Sequence, residues 1–313
     1  MATMLDKAIY GGVNAAVLTP MGPDLAPDLS LMAAHSRWLL ANGCDGLGIL
    51  GTTGEANSFS AVERIAVMEG LVEAGIPAAK LMPGTGCAAF TDSVDLTKVA
   101  KRLGCPGVLM LPPFYYKNPS DDGLFAYFSE VIQRVGGGIK VYVYHFPQQS
   151  AVPFSLDLIG RLMKAYPDVI KGVKDSSGDY ANMKAMIDAF AGDGFEVYSG
   201  SDEFLSRILH DGGAGCITAA SNVNCTAGGA VVRAFRAGDR AAEEAAQAVL
   251  TATRKVATSA PLIGGLREIV ARQTGNPAWR RIRPPNMALK QEQVGPYLAS
   301  FDATGIAGLA KAA

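Results

Sequence analysis

The stretch that decides the predicted fold is residues 107–146, GVLMLPPFYYKNPSDDGLFAYFSEVIQRVGGGIKVYVYHF. The apolar run at 107–111 is typical of a buried strand. Ser120 then caps a helical pattern whose apolar positions recur at intervals of four, three and four residues: Leu124, Phe128, Val131 and Val135. Gly136–Gly138 ends this helix, and a second apolar run at 140–146 predicts the next strand. A strand–helix–strand unit of this kind pairs its strands in parallel.

The same alternation of apolar runs and helical patterns continues along the chain. Eight runs predict strands: 12–19, 46–50, 80–85, 107–111, 140–146, 169–174, 196–199 and 215–219. Eight evenly spaced units favour an α/β fold of the (β/α)8 TIM-barrel type over a doubly wound sheet, because no G-x-G-x-x-G signature follows the first strand. Beyond residue 226 the strand signal stops, and helical stretches follow at 228–257, 261–273 and 286–298. We therefore expect a barrel domain at 1–224 and a C-terminal helical domain at 225–313.

The composition narrows the class of protein. Among 313 residues, 28 Lys+Arg nearly balance 29 Asp+Glu, so a net charge of −1 gives no field that would attract nucleic acid or an anionic membrane. With 49% hydrophobic and 18% charged residues the chain is of the folded globular type, and no apolar run approaches the roughly 20 residues of a membrane helix. The five cysteines form no C-x-x-C pair, which predicts reduced thiols in a cytoplasmic protein. The three histidines lack the spacing of metal ligands, so we expect no metal.

Lys174 is the most informative side chain at a predicted strand end. Alternation along 169–174 places Ile170, Gly172 and Lys174 on one face, and Gly172 leaves room for a long side chain directed into the barrel. Lys171 has the opposite parity and is the weaker candidate. A lysine desolvated among apolar walls is available as a neutral amine nucleophile, whereas a lone lysine at a strand end more commonly extends to solvent. The spacing alone leaves both interpretations open.

Tyr144 ends another predicted strand and shares a face with Tyr142. A phenol beside a Schiff-base nitrogen can transfer protons while it stays mostly neutral. The alternative is a core tyrosine whose hydroxyl is hydrogen-bonded, which is the more common case.

A glycine-rich loop, Gly51-Thr-Thr-Gly-Glu55, follows the second predicted strand. Its backbone N–H groups and threonine hydroxyls can cradle a carboxylate. The loop is not a Walker A sequence, because no Lys-Ser/Thr pair follows its second glycine. A purely structural turn is the alternative.

Six motifs occur in a specific order along the chain: Leu18-Thr-Pro20, Gly51-Thr-Thr-Gly-Glu55, Pro112-Pro-Phe-Tyr-Tyr116, Tyr144-His-Phe-Pro147, Gly172-Val-Lys-Asp-Ser-Ser-Gly178 and Gly200-Ser-Asp-Glu203. Together they resemble the pyruvate-dependent class I aldolase family that contains dihydrodipicolinate synthase and N-acetylneuraminate lyase. This resemblance favours the nucleophile interpretation of Lys174.

The resemblance implies a Schiff-base mechanism without a cofactor. Lys174 is then the nucleophile that attacks the C2 carbonyl of pyruvate, or of a 2-keto acid that contains it, to form a carbinolamine and then an imine. Tyr144 relays protons and is hydrogen-bonded to Thr52. Tyr115, or its neighbour Tyr116, completes the relay from the adjacent subunit of a tight dimer, and two dimers form a homotetramer.

The resemblance also implies a set of substrate-binding residues. Thr52 and Thr53 bind the pyruvate carboxylate beside Gly51, while Gly200 and Ile217 line the pocket with backbone. The expected partners are a small 2-keto acid and an aldehyde.

Two departures from the family pattern bear on the substrate. Gln149 stands five residues after the tyrosine, where dihydrodipicolinate synthases place an arginine that holds the carboxylate of aspartate semialdehyde. Asp202 and Glu203 resemble the polyol-binding acids of the neuraminate lyase subgroup, but Ala219 replaces that subgroup's nearby serine. We therefore expect a smaller hydroxylated 2-keto acid, such as a 2-keto-3-deoxy sugar acid, which the enzyme cleaves to pyruvate and an aldehyde.

Other functions remain open at this stage. One alternative keeps the imine and is a 4-hydroxy-tetrahydrodipicolinate synthase, which joins pyruvate to aspartate semialdehyde, or a keto-acid dehydratase. Another is a binding protein for pyruvate or a keto acid without turnover. The presence of Lys174, Tyr144 and Thr52 together argues against the binding protein, since a passive binder needs no such set.

Overall fold

The computed structural model describes residues 2–306 and contains one parallel sheet in the order β2-β1-β7-β6-β5-β4-β3. The strands are β1 Gly12–Ala16, β2 Gly46–Gly48, β3 Gly107–Met110, β4 Lys140–His145, β5 Ile170–Asp175, β6 Glu196–Ser199 and β7 Gly215–Thr218. The predicted TIM-barrel fold is confirmed, because helices separate successive strands and every strand pair is parallel.

The strand predicted at 80–85 forms only isolated bridges. Leu81 pairs with Leu47 of β2, and Gly84 pairs with Leu109 of β3. The Met82 amide donates to the Leu47 carbonyl at 2.9 Å, so this segment still closes the barrel between β2 and β3. The predicted start at Lys80 is wrong because residues 78–80 form a 3-10 turn.

Thirteen α-helices occur in the part of the chain that the structure describes. They are α1 Met4–Lys7, α2 Leu29–Ala41, α3 Ala61–Glu73, α4 Phe90–Arg102, α5 Asp121–Val135, α6 Pro147–Ser150, α7 Leu156–Ala165, α8 Tyr180–Phe190, α9 Leu205–His210, α10 Ser221–Ala237, α11 Arg240–Thr258, α12 Leu262–Thr274 and α13 Gln291–Asp302. The predicted N-cap is present, because the Ser120 hydroxyl accepts a hydrogen bond from the Gly123 amide. The hydroxyls of Ser60 and Ser155 cap α3 and α7 in the same way and accept from the amides of Glu63 and Leu158.

Two of the predicted C-terminal helices have different bounds. The stretch 228–257 is divided between α10 and α11, because Gly238 adopts a left-handed φ of 70° and the Asp239 side chain caps the next helix at the Ala242 amide. The stretch 286–298 becomes helical only at Gln291. The predicted division at 224/225 falls inside α10, which packs against β1, and the two-domain organisation stays a prediction.

The buried residues form three clusters. The largest lies between the outer face of the strands and the surrounding helices, and the smallest fills the barrel interior. The third cluster packs the C-terminal extension, residues 240–306, against the barrel through Leu18, Val223, Leu266, Ile269 and Trp279. The extension therefore covers part of the barrel and shares a core with it.

A buried ion pair fixes the extension to the loop after β2. The side chains of Glu55 and Arg267 are 0% and 1% exposed, and the guanidinium binds Glu55 Oε1. Arg267 also donates to the carbonyls of Thr19 at 2.7 Å and Trp279 at 3.3 Å. The Nε and Nη2 atoms of this guanidinium thus bind barrel acceptors, while Nη1 binds a carbonyl of the extension itself.

Replacing this guanidinium with an uncharged side chain destabilises the protein strongly. We expect Arg267→Met to lower the free energy of unfolding by about 3–5 kcal/mol, because it leaves a buried carboxylate without its counter-charge. Arg272→Met on the same helix is the matched control, since Arg272 pairs with Asp302, whose side chain is 62% exposed, and its loss costs about 1 kcal/mol or less. Urea unfolding followed by circular dichroism measures the free energy of unfolding of both variants. Equal losses in the two variants would contradict the stabilising role assigned to the Arg267–Glu55 pair.

Candidate active site

Tyr144 and Lys174 lie side by side near the carboxyl ends of two paired strands. They are register partners on β4 and β5, and their relative exposures are 3% and 5%. The Lys174 Nζ atom lies 4.3 Å from the centroid of the Tyr144 ring. The lysine side chain is therefore inside the barrel and does not extend to solvent.

A register shift between β4 and β5 produces this placement. Val141 pairs with Ile170 and Tyr142 pairs with Gly172, so Lys171 is an extra residue on β5. Strict alternation is thus wrong for Ile170, which packs in the outer cluster with the helices.

The absence of a side chain at Gly172 makes room for Tyr142 and not for Lys174. A Cβ atom at this position would lie 2.8 Å from the Tyr142 ring and 2.2 Å from the Glu196 carbonyl oxygen. The space predicted for Lys174 is therefore occupied by Tyr142 and by the β6 backbone.

Two tyrosines on the same face of β4 have opposite pKa shifts. Burial raises the pKa of Tyr142 well above its usual value, and the neighbouring Tyr198 and Glu196 add to the effect. Burial also raises the pKa of Tyr144, but the positive charge of Lys174 and the polar side chains of Thr52 and Ser176 outweigh it, so the net pKa is lowered. Tyr144 is thus suited to exchange protons, whereas Tyr142 stays a neutral hydrogen-bond donor to Glu196 at 2.8 Å.

The loop after β2 presents free amides beside this pair. Leu50 and Glu55, which flank it, both have a left-handed φ, and the Thr19 hydroxyl donates to the Gly54 carbonyl at 2.8 Å. Among residues 2–306, the amides of Thr52, Thr53 and Gly54 donate no backbone hydrogen bond. Consecutive unpaired amides of this kind form an anion-binding concavity.

Gly200 and Ile217 are both close to the pair. Ile217 is fully buried in the interior cluster that contains Tyr144. A Cβ atom at Gly200 would lie 2.0 Å from the Ser176 hydroxyl oxygen, so only glycine fits there. Gly200 therefore brings the β6 end close to the Ser176 side chain that contacts Tyr144.

Asp202 and Glu203 do not face the substrate side together. Asp202 is completely buried, accepts a hydrogen bond from Asn224 Nδ2 at 2.7 Å and lies 4.0 Å from Arg254 Nε. Glu203 lines a separate surface depression between α8, α9 and α11. The reason is that Asp202–Phe204 is a 3-10 turn, in which successive side chains diverge by about 120°. The expected role of Glu203 in holding substrate hydroxyls is not supported by this placement.

A cavity of about 530 Å³ lies between the barrel and the C-terminal extension. Thr52, Thr53 and Phe146 line its barrel side, and the Phe146 ring stacks on Tyr144 with the centroids 5.8 Å apart. Gln149 also lines it, at the position predicted to influence the substrate. The cavity is thus continuous with the surroundings of Tyr144.

In contrast to the buried Lys174 and Tyr144, Tyr115 and Tyr116 are exposed. Their relative exposures are 72% and 78%, and their rings contact each other edge to face at 5.3 Å. Neither lines the cavity, and the choice between them stays open.

The family follows from comparison with known proteins. The model of the dihydrodipicolinate synthetase family matches residues 9–299. An uncharacterised DapA-like lyase of Chloroflexus aurantiacus is 34% identical over 93% of this chain and 96% of its own length. A 4-hydroxy-tetrahydrodipicolinate synthase of Listeria monocytogenes is 36% identical over 73% of this chain and 77% of its own.

Two solved structures show the same relationship. Dihydrodipicolinate synthase from Agrobacterium tumefaciens superposes with a TM-score of 0.81 and 31% identity, covering 94% of this chain and 99% of that one. YagE of Escherichia coli K12 is a prophage protein of the dihydrodipicolinic acid synthase family, solved in complex with pyruvate. It superposes with a TM-score of 0.88 and 25% identity, covering 96% of this chain and 100% of that one.

The chain belongs to the dihydrodipicolinate synthetase family. The resemblance predicted from the six motifs is thereby confirmed, as is the enzyme class of pyruvate-dependent lyases. Within residues 2–306, no helix has the length and apolar character to cross a membrane, and no three His, Cys, Asp or Glu side chains form a metal-binding group.

Several residues of this family member's site escaped the sequence analysis. Ser176 lies inside a quoted motif but received no role, and Phe146 likewise. Asn286 and Ile263 line the cavity from the extension, more than 110 positions along the chain from Gln149. For Ser176 and Phe146, membership of a quoted motif was the only signal in the sequence. No local pattern marks Asn286 or Ile263 as cavity residues.

The charge of Lys174 controls the acidity of Tyr144. We expect Lys174→Met to raise the Tyr144 pKa above its wild-type value, because burial then acts without the opposing charge. Titration of ¹³C-labelled tyrosine by NMR, with Tyr144→Phe to assign the resonance, measures the change. Lys171→Met is the control: Lys171 pairs with Glu196 at 3.5 Å and is not among the groups that shift the Tyr144 pKa, so its loss leaves that pKa unchanged. An unchanged pKa in Lys174→Met would contradict the electrostatic assignment.

Proposed function

We propose that this enzyme is a Schiff-base aldolase that cleaves or forms a carbon–carbon bond between pyruvate and an aldehyde. Its proposed substrate is a 2-keto-3-deoxy sugar acid or a similar hydroxylated 2-keto acid. The observation that carries the proposal is the buried contact of Lys174 with Tyr144, 4.3 Å from Nζ to ring centroid, in a chain of this family.

The burial of Lys174 supports its role as nucleophile. Lys174 is 5% exposed and lies inside the barrel against Tyr144, where its amine can attack the C2 carbonyl of a bound keto acid. The resulting carbinolamine loses its hydroxyl as water to give the imine. Tyr144, whose pKa is lowered, is placed to give the proton that the departing hydroxyl needs.

The imine then acts as an electron sink for bond cleavage. A base removes the proton of the C4 hydroxyl, the C3–C4 bond breaks, and its electron pair moves to C3 and the iminium nitrogen to form an enamine. The aldehyde leaves, C3 takes up a proton, and water hydrolyses the imine to pyruvate and free Lys174. Synthesis runs through the same steps in reverse.

The loop after β2 is suited to hold the carboxylate of the keto acid. The three unpaired amides of Thr52, Thr53 and Gly54 supply donors, and the Thr52 side chain is among the groups that lower the Tyr144 pKa. A carboxylate held there fixes C2 near both Lys174 and its proton donor, which favours attack by raising the effective concentration.

The oligomer is part of the proposal. Two adjacent tyrosine rings that are more than two-thirds exposed are unusual on a protein surface and fit a contact with a second copy. We assign Tyr115, or Tyr116, to the proton relay of the neighbouring subunit within a homotetramer built as a dimer of dimers.

A 4-hydroxy-tetrahydrodipicolinate synthase is the second candidate, favoured by the names of the Listeria and Agrobacterium relatives. That reaction adds an aldehyde that carries a carboxylate. Gln149 at the cavity supplies no positive charge for it, and a charge-assisted pair is stronger than a neutral hydrogen bond by a factor of about two. The keto-sugar-acid lyase is therefore the better supported function.

Borohydride trapping tests the imine directly. With pyruvate and sodium borohydride, the wild-type enzyme should lose activity and the peptide that contains Lys174 should gain the mass of a reduced pyruvate adduct. Lys174→Arg keeps the charge but cannot form an imine, so we expect no adduct and a loss of turnover of at least about a thousandfold. Lys171→Arg is the control and should be trapped like the wild type. An unmodified Lys174 peptide in the wild type would overturn the proposal.

A single substitution separates the two candidate functions. Gln149→Arg should raise kcat/KM for pyruvate and aspartate semialdehyde by about tenfold or more, because it adds a charge-assisted pair to the substrate carboxylate. Gln149→Met has similar length without charge and should give no increase. If the wild type already condenses aspartate semialdehyde faster than it cleaves any 2-keto-3-deoxy sugar acid, the second candidate is correct.

A further inference from the structure

The cavity beside Tyr144 is built from two parts of the chain. Its barrel side includes Thr52 and Phe146, and its opposite wall comes from the start of α12 and the segment before α13, with Ile263, Asn286 and Met287. A molecule bound to Lys174 and to the loop after β2 therefore extends toward the C-terminal extension. This inference rests on the proposed function, since it concerns the aldehyde part of the substrate.

The cavity has no positive charge to offer. Among the described residues that line it, Glu55 is the only charged one, and its carboxylate already accepts hydrogen bonds from the Arg267 guanidinium, the Arg283 amide and Asn286 Nδ2. A carboxylate or phosphate placed against the wall formed by the extension, opposite Thr52 and Thr53, would lose its hydration without gaining a counter-charge, and it would lie near Glu55. Burial of an unpaired charge is strongly unfavourable, so this wall of the cavity selects against an anionic group.

Uncharged polar groups are available instead. Asn286 Nδ2 donates to Glu55 Oε2 at 3.3 Å, which orients the amide, while its Oδ1 accepts no hydrogen bond from residues 2–306. The side-chain amide of Gln149 likewise has no partner in that part of the chain. An oriented carbonyl oxygen is a natural acceptor for a hydroxyl group.

Apolar side chains complete the wall. Ile263 and Met287 lie near Asn286, and Met287 is 72% exposed at the cavity edge. A volume of about 530 Å³ is within the range of pockets that hold whole small molecules, so a fragment longer than a three-carbon aldehyde fits.

From these observations we infer that Asn286 is a specificity-determining residue, which accepts a hydrogen bond from a hydroxyl of an uncharged aldehyde longer than three carbons. Gln149 and Ile263 complete this subsite, and anionic aldehydes are rejected. The C-terminal extension thus selects the aldehyde, while the barrel residues bind and activate the keto acid.

Three four-carbon aldehydes test the selection: erythrose, butanal and succinic semialdehyde. They provide a hydroxylated, an apolar and a carboxylated probe of equal chain length. With pyruvate in excess, wild-type kcat/KM should be at least about tenfold higher for erythrose than for either other aldehyde. Preference for succinic semialdehyde or butanal, or no turnover of erythrose, overturns the inference.

Variants locate the selection at Asn286. Asn286→Ala should lower kcat/KM for erythrose by about tenfold or more and leave that for butanal unchanged. Equal losses for both aldehydes overturn the inference. Asn276→Ala, in the same extension but away from the cavity, should change neither. Because Asn286 also binds Glu55, the melting temperature of each variant is measured.

A gain of function keeps the test independent of any loss of stability. Met287→Lys adds a cation at an exposed edge of the cavity and should raise kcat/KM for succinic semialdehyde about tenfold relative to erythrose. No relative gain overturns the inference. Borohydride trapping with pyruvate is run on every variant: an intact imine with the wrong aldehyde preference contradicts this inference alone, whereas a missing imine in the wild type contradicts the proposed function.

Discussion

One buried carboxylate connects the loop after β2 to the rest of the chain. Glu55 ends the loop that carries Thr52 and Thr53, and it is held by Arg267, by the Arg283 amide and by Asn286. An ionised group without exposure is stable in a protein only if such partners surround it, so the loop, α12 and the segment before α13 must assemble together. The cavity beside Tyr144 exists because this assembly sets the extension against the barrel at a fixed distance.

The interior of the barrel is divided electrostatically. One layer contains the Glu196 carboxylate, which accepts hydrogen bonds from Tyr142 and Tyr198 at 2.8 Å each and pairs with Lys171. The other contains Lys174 and Tyr144. Burial raises the pKa of both tyrosines, and Tyr198 and Glu196 add to the rise at Tyr142. Lys174, Thr52 and Ser176 reverse it at Tyr144, which is the tyrosine proposed for proton transfer. The same strand thus supplies a structural phenol and a reactive one, two residues apart.

Sequence patterns were reliable where an element follows from local rules. The Ser120 cap, the left-handed glycine at position 136 and apolar periodicity predicted α5 because these signals act within a few residues. They failed where packing intervenes. The segment 81–84 bridges its neighbours at single positions, and an extra residue at Lys171 shifts the parity of β5. Asp202 and Glu203, adjacent in the sequence, diverge because a 3-10 turn separates their directions.

The amino-acid sequence by itself determined the barrel and the family, and it indicated the residues proposed to carry the chemistry. Strand ends in a parallel barrel meet on one face, so motifs at those ends are necessarily neighbours. Only the tertiary structure decided that Lys174 is buried against Tyr144 and that Asn286 and Ile263 face the same cavity as Gln149. The physical reason is distance along the chain: contacts between residues more than a hundred positions apart depend on how whole elements pack, and no local pattern encodes that packing.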